Sequence, residues 1–464
     1  MMMSYREAAA YLETFINYEK IPCYPYKRSV KLERIRDFLA TIDNPHRALR
    51  GIHIAGTKGK GSTSAFIAFM LRASGYRVGL YTSPHLSDFR ERIRVLSART
   101  QPASLGQEFE GMITKSALAR LSSQLKPAVE KYCRISKYGP LSFFEVYTSL
   151  AFLYFKERKV DIAVLETGLG GRLDATNVMD PLVCAITPIS YEHIRQLGNT
   201  LAEIAKEKAG IIKSAGVIVI SAPQDKEAAS VIRRRCRQTG AQLFEVGRDI
   251  RCKENGKAFS VKGLFNEYPH LKIKLLGVHQ RINASVAIGV IEGLRYSCVK
   301  IRKGAIRKGL CDTLWPGRCE VLAKKPLFVI DGAQNMASAW ALKKAVRENF
   351  RYKNLILVLG ISRDKDKAGI CRELSNLADT VILTRAHTPR AAAPQQLYGY
   401  FVGKKRFIAE DIKGAMLLAE AMAGKDDLVL VTGSLFVAGE FRRCFLDTRK
   451  QRLSGALKKK IYHV

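Results

Sequence analysis

The 464-residue sequence has no uninterrupted apolar run of the ~18 residues that a membrane-spanning helix requires. Its longest candidate, Phe143–Phe155, is broken by Glu145, Thr148 and Ser149. Met1–Glu13 carries an early acid and lacks the apolar centre of a signal peptide, so the expected compartment is the cytoplasm. No Cys-x-x-Cys pair occurs among the ten cysteines, which run from Cys23 to Cys444. That scatter argues against a zinc site or a disulfide frame and suits reduced, mostly buried thiols. Internal repeats and low-complexity segments are absent as well. Acidic residues are few: 42 Asp and Glu face 77 Lys and Arg, a formal charge of +35. The basic residues are spread over predicted helix faces and the tail from Arg449 to Lys460, with no block interleaved by aromatics. A specific nucleic-acid function is therefore not expected; a basic bias of the whole proteome is the first reading of this charge, and anionic substrates are a second use for the field.

What is present is a chain long enough, at 47% hydrophobic residues, for two or three domains with real cores. It is organised around residues 51–83. The apolar Ile52, Ile54 and Ala55 predict a buried strand, which breaks into Gly56-Thr57-Lys58-Gly59-Lys60-Gly61 and resumes as a helix over 62–73. A glycine loop between strand and helix aims backbone N–H groups and the positive helix end at one point. Lys60 adds a mobile cation, so the loop suits a polyphosphate. The strict G-x-x-x-x-G-K-[ST] pattern fails, because Gly61 follows Gly59-Lys60 and position 54 is Ile.

Downstream, the pattern alternates between strands and helices. Helices are expected over 4–18, 29–42, 105–125, 142–159, 200–212, 226–239, 280–294 and 303–312, and strands over 78–81, 160–167, 182–188, 217–221 and 242–246. Thr200 with Glu203 is a capping-box signature. Residues 248–276 read as a small antiparallel β insertion. A second βα series, with strands near 327–330, 354–360, 380–384, 406–408 and 428–432, lacks a phosphate loop of its own. The expectation is an α/β protein with largely parallel sheets. It divides into an N-terminal domain over 1–314, a hinge at Trp315-Pro316-Gly317-Arg318 and a smaller doubly wound domain over 319–464.

Parallel strands bring their carboxyl ends to one sheet edge, so Ser83, Glu166 and the loop after strand 182–188 can meet above the phosphate loop. Ser83 and Glu166 are oxygen donors suited to Mg²⁺. On its own His193 reads as a loop histidine, and Lys208 as a surface lysine between Lys206 and Lys213. Phe144 either stacks on a flat heterocycle or packs in the core, and Asn283 either contacts a base or caps a turn.

The loop Gly56–Thr63, followed by Thr82-Ser83-Pro84-His85 and Glu91-Arg92-Ile93, resembles the Mur-ligase superfamily, and within it the folylpolyglutamate synthase/dihydrofolate synthase family. The likeness recurs in order along nearly the whole chain. It implies a P-loop Mur-ligase-like ATPase domain followed by a Rossmann-like domain. It also implies ATP bound by Gly56, Thr57, Gly59, Lys60, Gly61, Ser62, Thr63, Asn283 (in His279-Gln280-x-x-Asn283), Arg318, Asp331 and Gln334. Two magnesium sites are implied, on Ser83, Glu166, His193 and Lys208, with Lys208 in Glu207-Lys208-Ala209-Gly210-Ile211 carbamylated. Ser142, Phe144, Asp174 and Ala175 are implied as the pterin pocket, from Leu141-Ser142-Phe143-Phe144-Glu145 and Leu173-Asp174-Ala175-Thr176-Asn177.

The implied reaction joins L-glutamate to dihydropteroate or to a reduced folate through an acyl phosphate, with Lys60, His193 and Lys208 in the catalytic set, in a protein expected to be monomeric. A monofunctional synthase or another Mur-type ligase is the alternative. Three departures stand out: Lys58 where the family usually has Asn, Glu192 where it has Asp, and Gln334 in Asp331-Gly332-Ala333-Gln334-Asn335 where it has His.

Overall fold

The computed structural model describes residues 2–21, 24–100, 109–256 and 258–461, with side-chain detail up to residue 451. Cys23, the start of the helix expected from 105 and most of the basic tail's side chains fall outside the described part.

The first sheet comprises β1 (Gly51–Ala55), β2 (Val78–Tyr81), β3 (Ile93–Leu96), β4 (Ile162–Glu166), β5 (Pro181–Ile186), β6 (Ile218–Ser221) and β7 (Gln242–Glu245), in the order β3-β2-β4-β1-β5-β6-β7. All neighbours pair in parallel except β3, which runs antiparallel to β2. β1, β2 and β4 are buried along their whole length, as expected of central parallel strands covered on both faces. Ile52, Ile54, Val164 and Ile220 join one core cluster with the helices Lys60–Ala73 and Val278–Gly293. Each such aliphatic side chain contributes about 1.5–3 kcal/mol on burial. His53, Ala163 and Leu165 face the opposite layer, where the helix Phe143–Glu157 packs.

The expected insertion is a three-stranded antiparallel sheet, β8 (Arg251–Asn255), β9 (Ala258–Lys262) and β10 (Glu267–Leu271). The second large sheet contains β11 (Glu320–Lys324), β12 (Leu327–Ile330), β13 (Leu355–Leu359), β14 (Thr380–Leu383), β15 (Lys405–Ile408) and β16 (Leu428–Thr432), in the order β11-β12-β16-β13-β14-β15. It too is parallel except for its first edge, β11.

The helices expected over 4–18 and 29–42 are shorter, Tyr5–Glu13 and Leu32–Ala40, and larger differences lie elsewhere. The helix expected over 105–125 lies at Lys115–Ile135, capped by the Thr114 hydroxyl, which accepts from Ala117 N–H. The edge strands β3 and β11 were not expected at all. β3 carries Arg94 in an otherwise apolar run, and this arginine is buried because its Nε donates to Glu110 O at 2.8 Å. β11 carries Glu320, which accepts from Arg442 Nε at 3.0 Å. The Thr200–Glu203 capping box forms as read. Among the described residues no helix is long and apolar enough to cross a membrane.

Candidate active site

β2, β4, β1 and β5 are adjacent and parallel, so the segments leaving their carboxyl ends share one edge of the sheet. These segments carry Ser83, Glu166, the loop from Gly56 and the turn to His193. The chain leaves β1 through Gly56, and Gly59 adopts φ +83 as the residue preceding the helix Lys60–Ala73. A Cβ at Gly59 would collide with the Asn283 side chain, so the loop needs glycine both for its left-handed backbone and for that close approach. The loop is tied to the turn after β5. Thr57 and Lys58 N–H both donate to Pro188 O, at 3.0 and 3.1 Å. The Thr57 hydroxyl donates to Ser190 O at 3.2 Å and accepts from Ser190 N at 3.1 Å.

Above this edge opens a cavity of about 390 Å³. From the first sheet it is lined by Thr57, Lys58, Gly59, Lys60, Gly61, Ser62, Ser83, Glu166, Glu192 and His193; from the helix Val278–Gly293 by His279, Gln280 and Asn283; and from the second sheet's side by Arg318, Asp331 and Gln334. Residues distant in sequence are thus brought together as expected. Gly56, Thr63 and Lys208 are not among its lining residues. The Gly56 carbonyl accepts from Lys60 Nζ at 3.2 Å and from Lys208 Nζ at 2.6 Å. Lys208 is buried on the helix Leu201–Ala209, not at the surface. Burial, with Lys60 next to it, pushes its amine well below the ordinary lysine range.

The Glu166 carboxyl is buried, accepts from Ser83 N at 3.2 Å and is pushed up to about 7 by desolvation, against the pull of Lys60. Beside it, Ser83 Oγ is buried without a hydrogen-bond partner. An orphaned hydroxyl and a desolvated carboxyl at a cavity wall fit an oxygen-seeking divalent cation. Among the described residues no group of three or more His, Cys, Asp or Glu side chains forms a metal site by itself.

Asp331 follows β12 and is held by Cys319 N–H at 2.9 Å and Ala333 N–H at 2.8 Å. Burial raises its carboxyl, and Arg318 opposes the rise. Gln334 lines the cavity and its backbone N–H donates to Ser338 Oγ. Lys58 and Glu192, two of the departures from the family's usual residues, pair with each other at 2.9 Å.

The residues implied as a pterin pocket lie outside the cavity's lining. Ser142 Oγ donates to Glu145 Oε2 at 2.6 Å within a helix cap. Asp174 accepts from the N–H groups of Gly168, Leu169 and Thr176 and from the Thr176 hydroxyl. Neither polar group can turn to a ligand without giving up a partner. Ala175 is buried, while the Phe144 ring lies over Gly168, which does line the cavity, and 5.9 Å from the Tyr81 ring.

One wall was missed from sequence. Ala337, Ala341 and Ala345 line the cavity from the helix Met336–Asn349, beside Ser338 and Leu342, and their spacing of four places them on one face. The signal was present, but an alanine stripe reads equally well as core.

Comparison with known proteins agrees with this geometry. The Mur ligase middle domain matches residues 115–291, and the Mur ligase glutamate ligase domain matches residues 317–435. A dihydrofolate synthase/folylpolyglutamate synthase of Bacillus subtilis is 35% identical over 420 residues, covering 89% of this chain and 94% of that one. A probable bifunctional folylpolyglutamate synthase/dihydropteroate synthase of Haloferax volcanii is 36% identical over 95% of this chain, which spans only 50% of that longer protein. The structure of Mycobacterium tuberculosis folylpolyglutamate synthase complexed with ADP superposes with a TM-score of 0.83 at 29% identity, covering 95% of this chain and 98% of that one. A shared fold, two matched domains in order and identity sustained from end to end have one reading: the chain belongs to the dihydrofolate synthase/folylpolyglutamate synthase family of Mur ligases.

Proposed function

We propose that this protein is an ATP-dependent ligase that joins L-glutamate to dihydropteroate and to the γ-carboxyl of reduced folates, releasing ADP and phosphate. The observation that carries the reading is the single cavity in which the phosphate loop, Ser83, Glu166, Arg318 and Asp331 converge. The name of the Bacillus subtilis relative and the ADP complex of the mycobacterial one support it.

In this reading residues 1–314 bind nucleotide and acceptor, 315–318 form the hinge, and 319–464 close over them. The loop's N–H groups, with Lys60, hold the triphosphate, and Arg318 reaches its phosphates from the hinge. Asn283 faces the base, and the alanine face of the helix Met336–Asn349 gives it room. Ser83, Glu166, His193 and a carbamylated Lys208 would hold Mg²⁺ at two sites. Bound there, Mg²⁺ neutralises charge on the phosphates. A buried amine whose protonation is disfavoured is the form that adds carbon dioxide, which supports the carbamate.

The acceptor carboxylate takes the γ-phosphoryl group as ADP leaves. The glutamate amine then attacks the acyl carbon, phosphate departs and the amine proton passes to solvent. The chain's own contribution to these steps is positioning and electrostatics. Phe144, behind Gly168, is the aromatic surface for the pterin, with Asp174, Ser142 and Ala175 shaping the segments around it.

The test is ATP- and glutamate-dependent phosphate release with dihydropteroate and, separately, with tetrahydrofolate. Activity with both is expected. Activity with one would make the enzyme monofunctional, and activity with neither would reject the ligase.

A further inference from the structure

Lys58 stands in the phosphate loop ahead of Lys60 and lines the same cavity. Its ammonium is 2.9 Å from Glu192 Oε2, with the lysine side chain 35% exposed and the glutamate 14%. Lys365, from the turn before the helix Lys367–Ser375, also acts electrostatically on Lys58, Glu192 and His193.

The loop does not need this ion pair for its shape, since four hydrogen bonds already tie Thr57 and Lys58 to Pro188 and Ser190. A partly exposed ion pair is held weakly. A polyphosphate offers an ammonium several charged oxygens where Glu192 offers one carboxylate.

We propose that Lys58 is a second phosphate-binding cation of the loop and that Glu192 is its resting partner, from which a nucleoside polyphosphate displaces it. The inference rests on the nucleotide reading of the cavity given above. Glu192 thereby competes with the nucleotide, so the two members of one ion pair have opposite effects on affinity. A pair that served only as a staple between two loops would give effects of the same sign.

The experiment is equilibrium binding of ADP by calorimetry to the full-length protein and to the Lys58→Gln, Lys58→Arg, Glu192→Gln and Lys58→Gln/Glu192→Gln variants. Thermal unfolding without nucleotide reports on their fold, and Lys60→Ala serves as the reference for loop binding. Lys58→Gln should weaken ADP binding roughly tenfold, the worth of one charge-assisted contact, and Lys58→Arg should restore most of it. Glu192→Gln should tighten binding about threefold, and this gain should vanish in the double variant. Unchanged binding in Lys58→Gln, weakened binding in Glu192→Gln, or a gain that persists in the double variant would each overturn the proposal. Parent protein that binds no ADP would remove the nucleotide reading as well. Parent binding lost in Lys60→Ala but untouched in Lys58→Gln would remove this inference alone.

Discussion

Lys60 and Lys208 donate to the same acceptor, the carbonyl of Gly56, at 3.2 and 2.6 Å. One comes from the start of the helix that follows the loop and the other from a helix well over a hundred residues later. Two ammonium groups around one carbonyl repel each other, and burial weakens the screening between them. Burial, with Lys60 beside it, lowers the Lys208 amine well below the ordinary lysine range.

Lys60→Ala should lower kcat for glutamate-dependent ADP formation by about 10²–10³-fold, the usual loss when one preorganised transition-state donor is removed. Lys60 is only partly buried, so the melting temperature should stay close to that of the parent. Steady-state kinetics beside a thermal melt checks both; a variant as fast as its parent contradicts the proposed mechanism.

If Lys208 works as a carbamate, activity should fall in buffer stripped of carbon dioxide and return on adding bicarbonate. Lys208→Ala should be nearly inactive, and short carboxylates should partly rescue it by supplying an anion in the vacated space. Labelled bicarbonate followed by carbon-13 NMR should give a carbamate signal in the parent and none in Lys208→Ala. An enzyme indifferent to carbon dioxide would exclude the modification.

His53 gives a pH dependence with a definite sign. It is fully buried on β1, its Nε2 is 2.7 Å from Thr176 Oγ1, and desolvation lowers its imidazole to about 3 from an ordinary value of 6.5. The folded pKa is depressed, so the neutral ring's contribution is complete above pH 6.5 and is lost as pH falls toward 3. Between pH 6.5 and 4 the loss is roughly 3 kcal/mol for this group. Urea titrations at the two values should show it, and His53→Gln should show a correspondingly smaller difference. Equal acid sensitivity in the variant would mean that other groups carry the effect.

Phe144 discriminates a binding role from packing. Should the ring serve the pterin, Phe144→Leu should raise KM for dihydropteroate about tenfold, the order of one aromatic contact, while leaving KM for ATP unchanged. A drop in melting temperature with both KM values intact would assign the ring to the core beside Tyr81 and Gly168.

The phosphate loop was legible because its determinants are local. An apolar strand, a run of glycines and a helix that begins at Lys60 fix the direction of the N–H groups without help from the rest of the chain. The βα alternation was equally readable, and the helices at Lys226–Thr239 and Lys303–Asp312 and the strand at Leu428–Thr432 fall where the hydrophobic period put them. What local pattern could not supply was burial of charge. β3 and β11 carry Arg94 and Glu320 in their runs, which local pattern reads as polar, and the Glu110 carbonyl and Arg442 are among the groups that partner them in the fold. Lys208 looks like a surface residue until the helix that carries it packs beneath Gly56.

The sequence by itself determined the strand, glycine loop and helix around Lys60, and the alternating pattern that demands parallel sheets. Only the tertiary structure decided that Lys208 is buried, that Lys58 meets Glu192, and that one face of the helix Met336–Asn349 closes the cavity. The physical reason is that these depend on strand order and on contacts across long stretches of chain. A residue's own neighbours in sequence set its preferred backbone, but its solvent, its charge partners and hence its chemistry are set by whatever the fold brings against it.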